Sequence, residues 1–430
     1  MHRRHSPFLI AAAAMCAAAW MPSAAKGQNP VTPALDFSGV LFGAYGFRTD
    51  SAAKATLGGS SPNQFTLDRA YLTFRMPAGD NGQIRVTTDV FQNTSTATNG
   101  YYQGWVVRIK YGYLQYTGFK NAFGEGSNLT GRIGVLHTVV IDHEEGFWPR
   151  YLGQVGIERN GFFSSADAGV VGNLTLGNKW GEIYGTVTNG PGYASYERDR
   201  FKDFAIRLSL TPFADHADPS LAPAPGSATP SAALSLVGTI LRTFTISPWF
   251  YKGAVGSGFA AGGTGQVGSG TNGAVTDGLQ RDRWGVFAGL KERRLTGGVE
   301  FAQRMDESES GANTSASPRV VRDSTGSLFD VFAIARPLEW FDASQKSNFS
   351  VVARFDHFTP NTDPSVPAYV GATPAYNYVL LGLSYDLTSR MTFTADWQSQ
   401  SPTRFPSATG TNVRATPKQS TLFLHWQATF

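Results

Sequence analysis

The sequence predicts an all-β chain: a closed antiparallel transmembrane β-barrel of about 16 strands, with 14 to 18 allowed, short periplasmic turns and long outer loops. Three observations carry this. Only 16% of the 430 residues are charged, against about 25% in an average soluble domain, while aromatics reach 13% and glycine contributes 48 residues. Side chains alternate with period two from end to end, and helical stripes are scarce. The apolar run of residues 8–20 falls short of the roughly 20 residues that a spanning helix needs.

That run belongs to a processing segment. Arg3 and Arg4 precede FLIAAAAMCAAAW, and Ser23 and Ala25 satisfy the small-x-small rule, so residues 1–25 read as a signal peptide cut after Ala25. Cys16 is the one cysteine and leaves with it, so no disulfide is expected; Met15 stands where a lipoprotein box needs a small residue. Losing Arg3 and Arg4 leaves 34 basic against 32 acidic residues, too small an excess to argue for nucleic acid. Residues 26–35 form a short N-terminal segment, and residues 36–430 a single barrel domain.

The strands follow in order. Residues 40–47 open the series. In FTLDRAYLTFRM, Ala70, Leu72, Phe74 and Met76 share one face, and Arg69, Tyr71, Thr73 and Arg75 the other. After PAGDNG, QIRVTTDVF sets Ile84, Val86 and Val90 against Arg85, Thr87 and Asp89, completing a hairpin. VVRIKYGYLQY places Val107, Ile109, Tyr111 and Tyr113 against Arg108 and Lys110; GRIGVLHTVVI places Ile133, Val135 and Val139 against Arg132, Gly134 and Thr138. DAGVVGNLTL and EIYGTVTNG flank GNKWG. DFAIRLSLT alternates Phe204, Ile206, Leu208 and Leu210 with Arg207 and Ser209. LSLVGTILRTFTI is the ninth and least regular candidate. RWGVFAGLK, LTGGVEFAQR, SLFDVFAIAR, FSVVARFDHF, YVLLGLSYDL, MTFTADWQSQ and TLFLHWQATF complete the count.

Segments after odd-numbered strands are long (48–64, 92–104, 142–162, 252–282, 305–326, 359–375 and 401–416), and most after even-numbered strands are short. The exceptions are residues 118–128 and the Pro- and Ala-rich linker 214–231. Hydrocarbon offers backbone groups no partners, so such a sheet must close by pairing its last strand with its first. On the last strand Leu422, Leu424, Trp426, Ala428 and Phe430 share a face, and Phe423 falls among the polar residues of the other. Trp426 and the terminal Phe430 resemble the C-terminal signal read by the barrel assembly machinery of outer-membrane proteins.

FTLDRAYLTFRMPAGDNGQIRVTTDVFQ, IKYGYLQYTGF and GRIGVLHT resemble the N-terminal half of bacterial outer-membrane porins of the phosphate-selective O/P type, over roughly residues 36–173 plus the final strand. The resemblance implies a homotrimer of 16-stranded barrels in a Gram-negative outer membrane, each with a water-filled channel and cations at its constriction.

Porins select by the charges at their narrowest point. The third outer loop, DHEEGFWPRYLGQVGIERNGF (residues 142–162), is the candidate constriction and carries Asp142, Glu144, Glu145 and Glu158 against Arg150 and Arg159. Lumen-side wall positions supply Arg69, Arg75, Arg85, Arg108, Lys110, Arg132, Arg207, Arg304 and Arg354. An acidic loop against a basic wall makes a transverse field; alternatively, each arginine only braces the wall against a neighbouring carboxylate. Because this loop is net acidic, the expectation is a passive channel for small hydrophilic solutes and ions, mildly anion-leaning. A phosphate- or oxyanion-selective pore is one alternative. A non-conducting structural or adhesive barrel, its lumen filled by apolar or tightly paired side chains, is another.

Other chemistry finds little support. The Asp142–Glu145 cluster lacks zinc spacing, since Phe147 stands where HExxH needs histidine. GSGFAA (256–261) fits GxGxxA with no helix after it, and no histidine sits in a nucleophile motif. No enzyme activity, cofactor or metal is expected; the expected partners are outer-membrane lipid, the assembly machinery and small polar or anionic solutes.

Overall fold

The computed structural model describes residues 34–93, 104–195, 197, 199–214, 232–256, 278–310, 320–341, 346–362, 375–404 and 418–430. The expected signal peptide, most of the 26–35 segment, nearly all of the 214–231 linker and all but the first residue of GSGFAA lie outside them.

Sixteen antiparallel strands close into one barrel. They are β1 (Asp36–Arg48), β2 (Asn63–Pro77), β3 (Gly82–Asn93), β4 (Gly104–Gly118), β5 (Asn128–His137), β6 (Ala166–Leu176), β7 (Gly181–Thr188), β8 (Asp203–Leu210), β9 (Thr245–Gly256), β10 (Gly278–Glu292), β11 (Leu295–Ser310), β12 (Val320–Ala335), β13 (Phe349–Thr359), β14 (Ala375–Thr388), β15 (Met391–Arg404) and β16 (Gln419–Thr429). Each pairs with its sequence neighbours, and β1 pairs with β16 from Val40↔Thr429 to Arg48↔Thr421.

That closing seam explains the aromatic terminus. Gly39 and Phe430 exchange both backbone hydrogen bonds, at 2.8 and 3.0 Å. Opposite each aromatic of β16 stands a glycine of β1. A Cβ on Gly39 would lie 2.2 Å from the Phe430 ring, one on Gly43 3.0 Å from Trp426, and one on Gly46 2.9 Å from Phe423. The rings cover the surface their glycine partners leave bare. Phe423 therefore fits its face: it points inward over Gly46, as Trp426 and Phe430 point outward. Phe37 and Phe74 extend the outer cluster, with Phe37 5.8 Å from Phe430.

The outward face is apolar. Val107, Ile109, Ile133, Ile206, Phe250, Leu381, Leu383, Leu422 and Leu424 are all exposed. So contiguous an apolar belt is the surface a hydrocarbon phase covers. The opposite face turns inward: Thr73 and Thr87 share a hydrogen bond at 3.0 Å inside the wall.

Four sequence expectations need correction. First, Tyr111 and Tyr113 face the lumen. Thr87 pairs with Tyr111 but Thr88 with Ile109, so Lys110 is an extra residue on β4. This β-bulge reverses the phase of the strand beyond it. Second, β5 ends at His137, and Thr138, Val139 and Ile141 belong to the loop after it. Third, the ninth strand lies further on. Ala232–Leu241 is a helix, its Leu236, Val237, Ile240 and Leu241 spaced at three- and four-residue steps, and the strand is TISPWFYKGAVG. Pro248 had disguised it: lacking an N–H, it leaves a gap in the β8–β9 ladder between Arg207↔Trp249 and Leu210↔Ile246. Fourth, β11 and β12 stay paired out to Ser310↔Val320, through residues read as loop, because the tips of long hairpins need no apolar face.

The third outer loop, residues 138–165, turns into the barrel. The buried apolar cluster of the protein therefore sits inside the lumen, between this loop and the wall.

Candidate functional site: the third loop across the lumen

Three short helical turns, Ile141–Glu144, Arg150–Leu152 and Gly156–Arg159, shape the loop. Its Trp148, Leu152, Val155, Ile157 and Phe162 are each at most 2% exposed. They belong to the buried cluster between loop and wall. Trp148 stacks edge-on against Phe332 with ring centres 5.2 Å apart, and Phe162 meets Phe358 at 6.4 Å. Each such side chain contributes up to about 1.5–3 kcal/mol of burial.

Wall arginines hold the loop backbone. Arg304 donates to the Asn160 carbonyl at 2.8 Å and Arg354 to that of Gln154 at 2.7 Å; Arg207 and Arg283 donate to Val139 and Phe162. These carbonyls would otherwise be orphaned at helical ends and bends. The tip reaches the far wall, where Tyr151 meets Thr394 at 2.8 Å, Arg159 donates to Gln400 at 2.9 Å and Arg150 to Tyr71 at 3.2 Å.

The expected opposition of an acidic loop and a basic wall does not form. Glu145 and Glu158 are spent on Arg150 within the loop itself, the latter at 2.5 Å. Arg159 lies 3.6 Å over the Tyr378 ring. Glu144 is buried against wall acids, not against wall cations. Glu300, Asp330 and Asp356 stand directly opposite one another on β11, β12 and β13. Arg354 grips Asp356 with two bonds, at 2.7 and 2.8 Å, and the Trp249 indole donates to Glu300 at 3.0 Å. Burial first, then the charges of Glu300 and Asp330, hold the Glu144 carboxyl well above its usual pKa. One oxygen each of Glu144 and Glu300 has no hydrogen-bond partner among the described residues. Gly156 lies on Asp330 so closely that a Cβ would stand 1.8 Å from its Oδ2. His143 donates to or accepts from Ser247 at 2.9 Å, and burial, aided by Arg207, lowers its pKa to about 3, so it is neutral near pH 7.

The other cations line β2 to β8. Arg69 and Arg108 share buried Asp89, at 3.6 and 3.0 Å, and Arg108 is sandwiched between the Phe91 and Tyr193 rings. Lys110 is 2% exposed, 4.3 Å over Tyr71. Arg75 meets Asp36 at 3.5 Å near the short-turn end, and Arg207 pairs with Glu182. Arg304 lies 3.8 Å from Asp306. Arg85 and Arg132 differ, for neither makes an ion pair among the described residues. Arg85 contacts Thr87 at 3.1 Å, Tyr113 and the His137 ring. Arg132 donates to Gln115 at 2.8 Å and to Tyr184 at 3.3 Å.

Two polar cavities flank the loop. One of about 390 Å³, toward the short-turn end of the barrel, is lined by Arg132, Asp142, Tyr184, Arg207 and Lys291. The other, of about 370 Å³, lies toward the long-loop end between Phe162, Asp167, Asp203, Arg281 and Asp306. Thr138 borders both. Asp142 is the loop carboxylate most open to this space, its side chain 56% exposed and 3.3 Å from His137.

Sequence reasoning missed Arg283, Glu300, Asp330, His137 and Lys291, and read Asp89 only as one residue of a polar face. Glu300 and Asp330 carried a readable signal, as lone acids at inward positions of neighbouring apolar strands. Arg283 carried little, because the inward residues that follow it, Gly285 and Phe287, break the polar pattern.

No family model matches the sequence, and neither does any curated protein. Solved structures do resemble the fold. The Acinetobacter baumannii outer membrane channel DcaP is 11% identical with a TM-score of 0.54, over 95% of this chain and 100% of that one. Salmonella typhi OmpF, solved with daunomycin, is 10% identical with a TM-score of 0.53, over 91% and 97%. OmpT of Vibrio cholerae, an outer membrane protein in its trimer form, is 12% identical with a TM-score of 0.51, over 93% and 99%. At these identities the likeness is one of fold.

Proposed function

We propose that this chain is an outer-membrane porin passing small hydrophilic solutes and ions by diffusion, with a mild lean toward anions. One observation carries the reading: a 16-stranded barrel is crossed at mid-height by its third loop, with polar cavities left on both sides. The lean toward anions rests on Arg85 and Arg132, whose partners are neutral and whose charge is left for a solute. The same two side chains are what a phosphate- or oxyanion-selective pore would use, which keeps the O/P-type resemblance in play at this one place. Export by the N-terminal signal, insertion by the assembly machinery and a homotrimer belong to this reading; the trimer is supported by the neighbour solved in that form. Nothing in it calls for catalysis or a cofactor.

A second reading is favoured by a specific observation. The loop fills part of the lumen with apolar packing, and most wall arginines are already paired, as a non-conducting structural barrel would have them. Planar-bilayer recording of purified protein separates the two. Ohmic current steps whose reversal potential in a KCl gradient lies toward anions support the channel; a silent bilayer favours the structural barrel.

A further inference from the structure

The cavity toward the short-turn end holds fixed charges of both signs that do not neutralise one another. On the wall, Arg132 is bonded only to neutral acceptors, Gln115 and Tyr184. Lys291, at the short-turn end of β10, is exposed and makes no ion pair among the described residues. From the loop comes Asp142, whose nearest basic neighbour is the His137 ring at 3.3 Å. The His137 Nδ1 is buried without a partner. Arg207 adds little net charge, because Glu182 is bonded to it.

At about 390 Å³ the space is of small-ligand size. A simple anion is drawn by Arg132 and Lys291 and repelled by Asp142. A simple cation meets the reverse. Only a solute carrying both signs gains from each side, and the facing placement of loop and wall fixes which end goes where. Resting on the channel reading, we propose that this cavity is a subsite for small zwitterions of the α-amino acid class, the carboxylate set toward Arg132 and Lys291 and the ammonium against Asp142. The transverse field expected across the whole loop thus survives at one place.

Proteoliposome swelling tests this with three solutes of similar size, alanine (zwitterion), lactate (anion) and 1-amino-2-propanol (cation), and with the larger neutral sugar arabinose as the control for an open pore. In the intact protein, alanine enters faster than lactate or the amine. Asp142→Asn lowers the alanine-to-lactate ratio by about two- to fivefold, the worth of one partly exposed charge pair. Lys291→Gln, at an exposed strand end, slows alanine and lactate together and spares arabinose. If arabinose enters but Asp142→Asn leaves the alanine-to-lactate ratio unchanged, the subsite is overturned and the channel stands. If no solute enters, both fall.

Discussion

Replacing Gly156 by alanine tests whether the loop is seated on the wall as described. The added Cβ would lie 1.8 Å from Asp330 Oδ2, where ordinary contact begins at 3.4 Å, so unless the Asp330 carboxyl swings aside, loop and wall part by about 1.6 Å. A shift of that size away from β12 stretches the 2.7 Å bond from Arg354 to the Gln154 carbonyl beyond about 4 Å, past hydrogen-bonding range. Overpacking costs about 1–3 kcal/mol and a lost charged hydrogen bond about 1.5–3, so docking weakens by roughly 2.5–6 kcal/mol. The assay pairs single-channel conductance with the rate at which protease nicks the loop in detergent. Gly156→Ala should change the conductance and speed nicking; adding Asp330→Ala should reverse both, since the nearest contact is then the Leu328 side chain at 3.1 Å. Wild-type conductance and nicking in the single variant would refute the seating.

Glu144 supplies a pH test. Its raised pKa means that the docked loop keeps a proton a free carboxyl would lose, so docking is strongest below the usual carboxylate range and weakens as pH climbs above about 4.5. The slope is at most about 1.4 kcal/mol per pH unit for one proton; nicking should accelerate from pH 5 to 9 in the wild type and accelerate less in Glu144→Gln, where Glu145, also held up by burial, still titrates, and equal acceleration in both would count against the raised Glu144 pKa. Arg85→Gln with Arg132→Gln should move the reversal potential toward cations, whereas an unmoved potential would place selectivity elsewhere. Arg108→Glu with Lys110→Glu should instead block assembly, judged by loss of heat-modifiable migration on gels, because one carboxylate would arrive beside buried Asp89 and the other in the buried site of Lys110 over Tyr71. Gly39→Val should impair assembly similarly, its side chain meeting the Phe430 ring; normal folding of that variant would argue against the closing seam.

The barrel was legible because its physics is local: an outward apolar face and an inward polar one alternate along almost every strand. Legibility failed where one residue altered the phase or broke the ladder. Lys110 bulges, so Tyr111 and Tyr113 swap faces with no change in composition to announce it. Pro248 sits inside β9, where proline ordinarily argues against a strand. At the site, the sequence identified the loop and the wall arginines but not how they pair. Whether Arg354 faces solute or the Gln154 carbonyl depends on the path of a loop across the barrel, and nothing in the period-two pattern of β13 encodes that path. The acids show the same limit: Glu144 looks like a solvated charge until Glu300 and Asp330 are placed beside it.

The gap that Pro248 leaves between β8 and β9 gives the loop a second duty. Side chains bridge the missing rungs there: Ser247 reaches Ser209 at 3.0 Å, and His143 reaches Ser247 at 2.9 Å. The third loop thus stitches the join with the fewest ladder pairs in the cylinder from within. Trimming it to widen the bore, a natural engineering step, would also unpick that join, so in this barrel aperture and wall integrity cannot be adjusted independently.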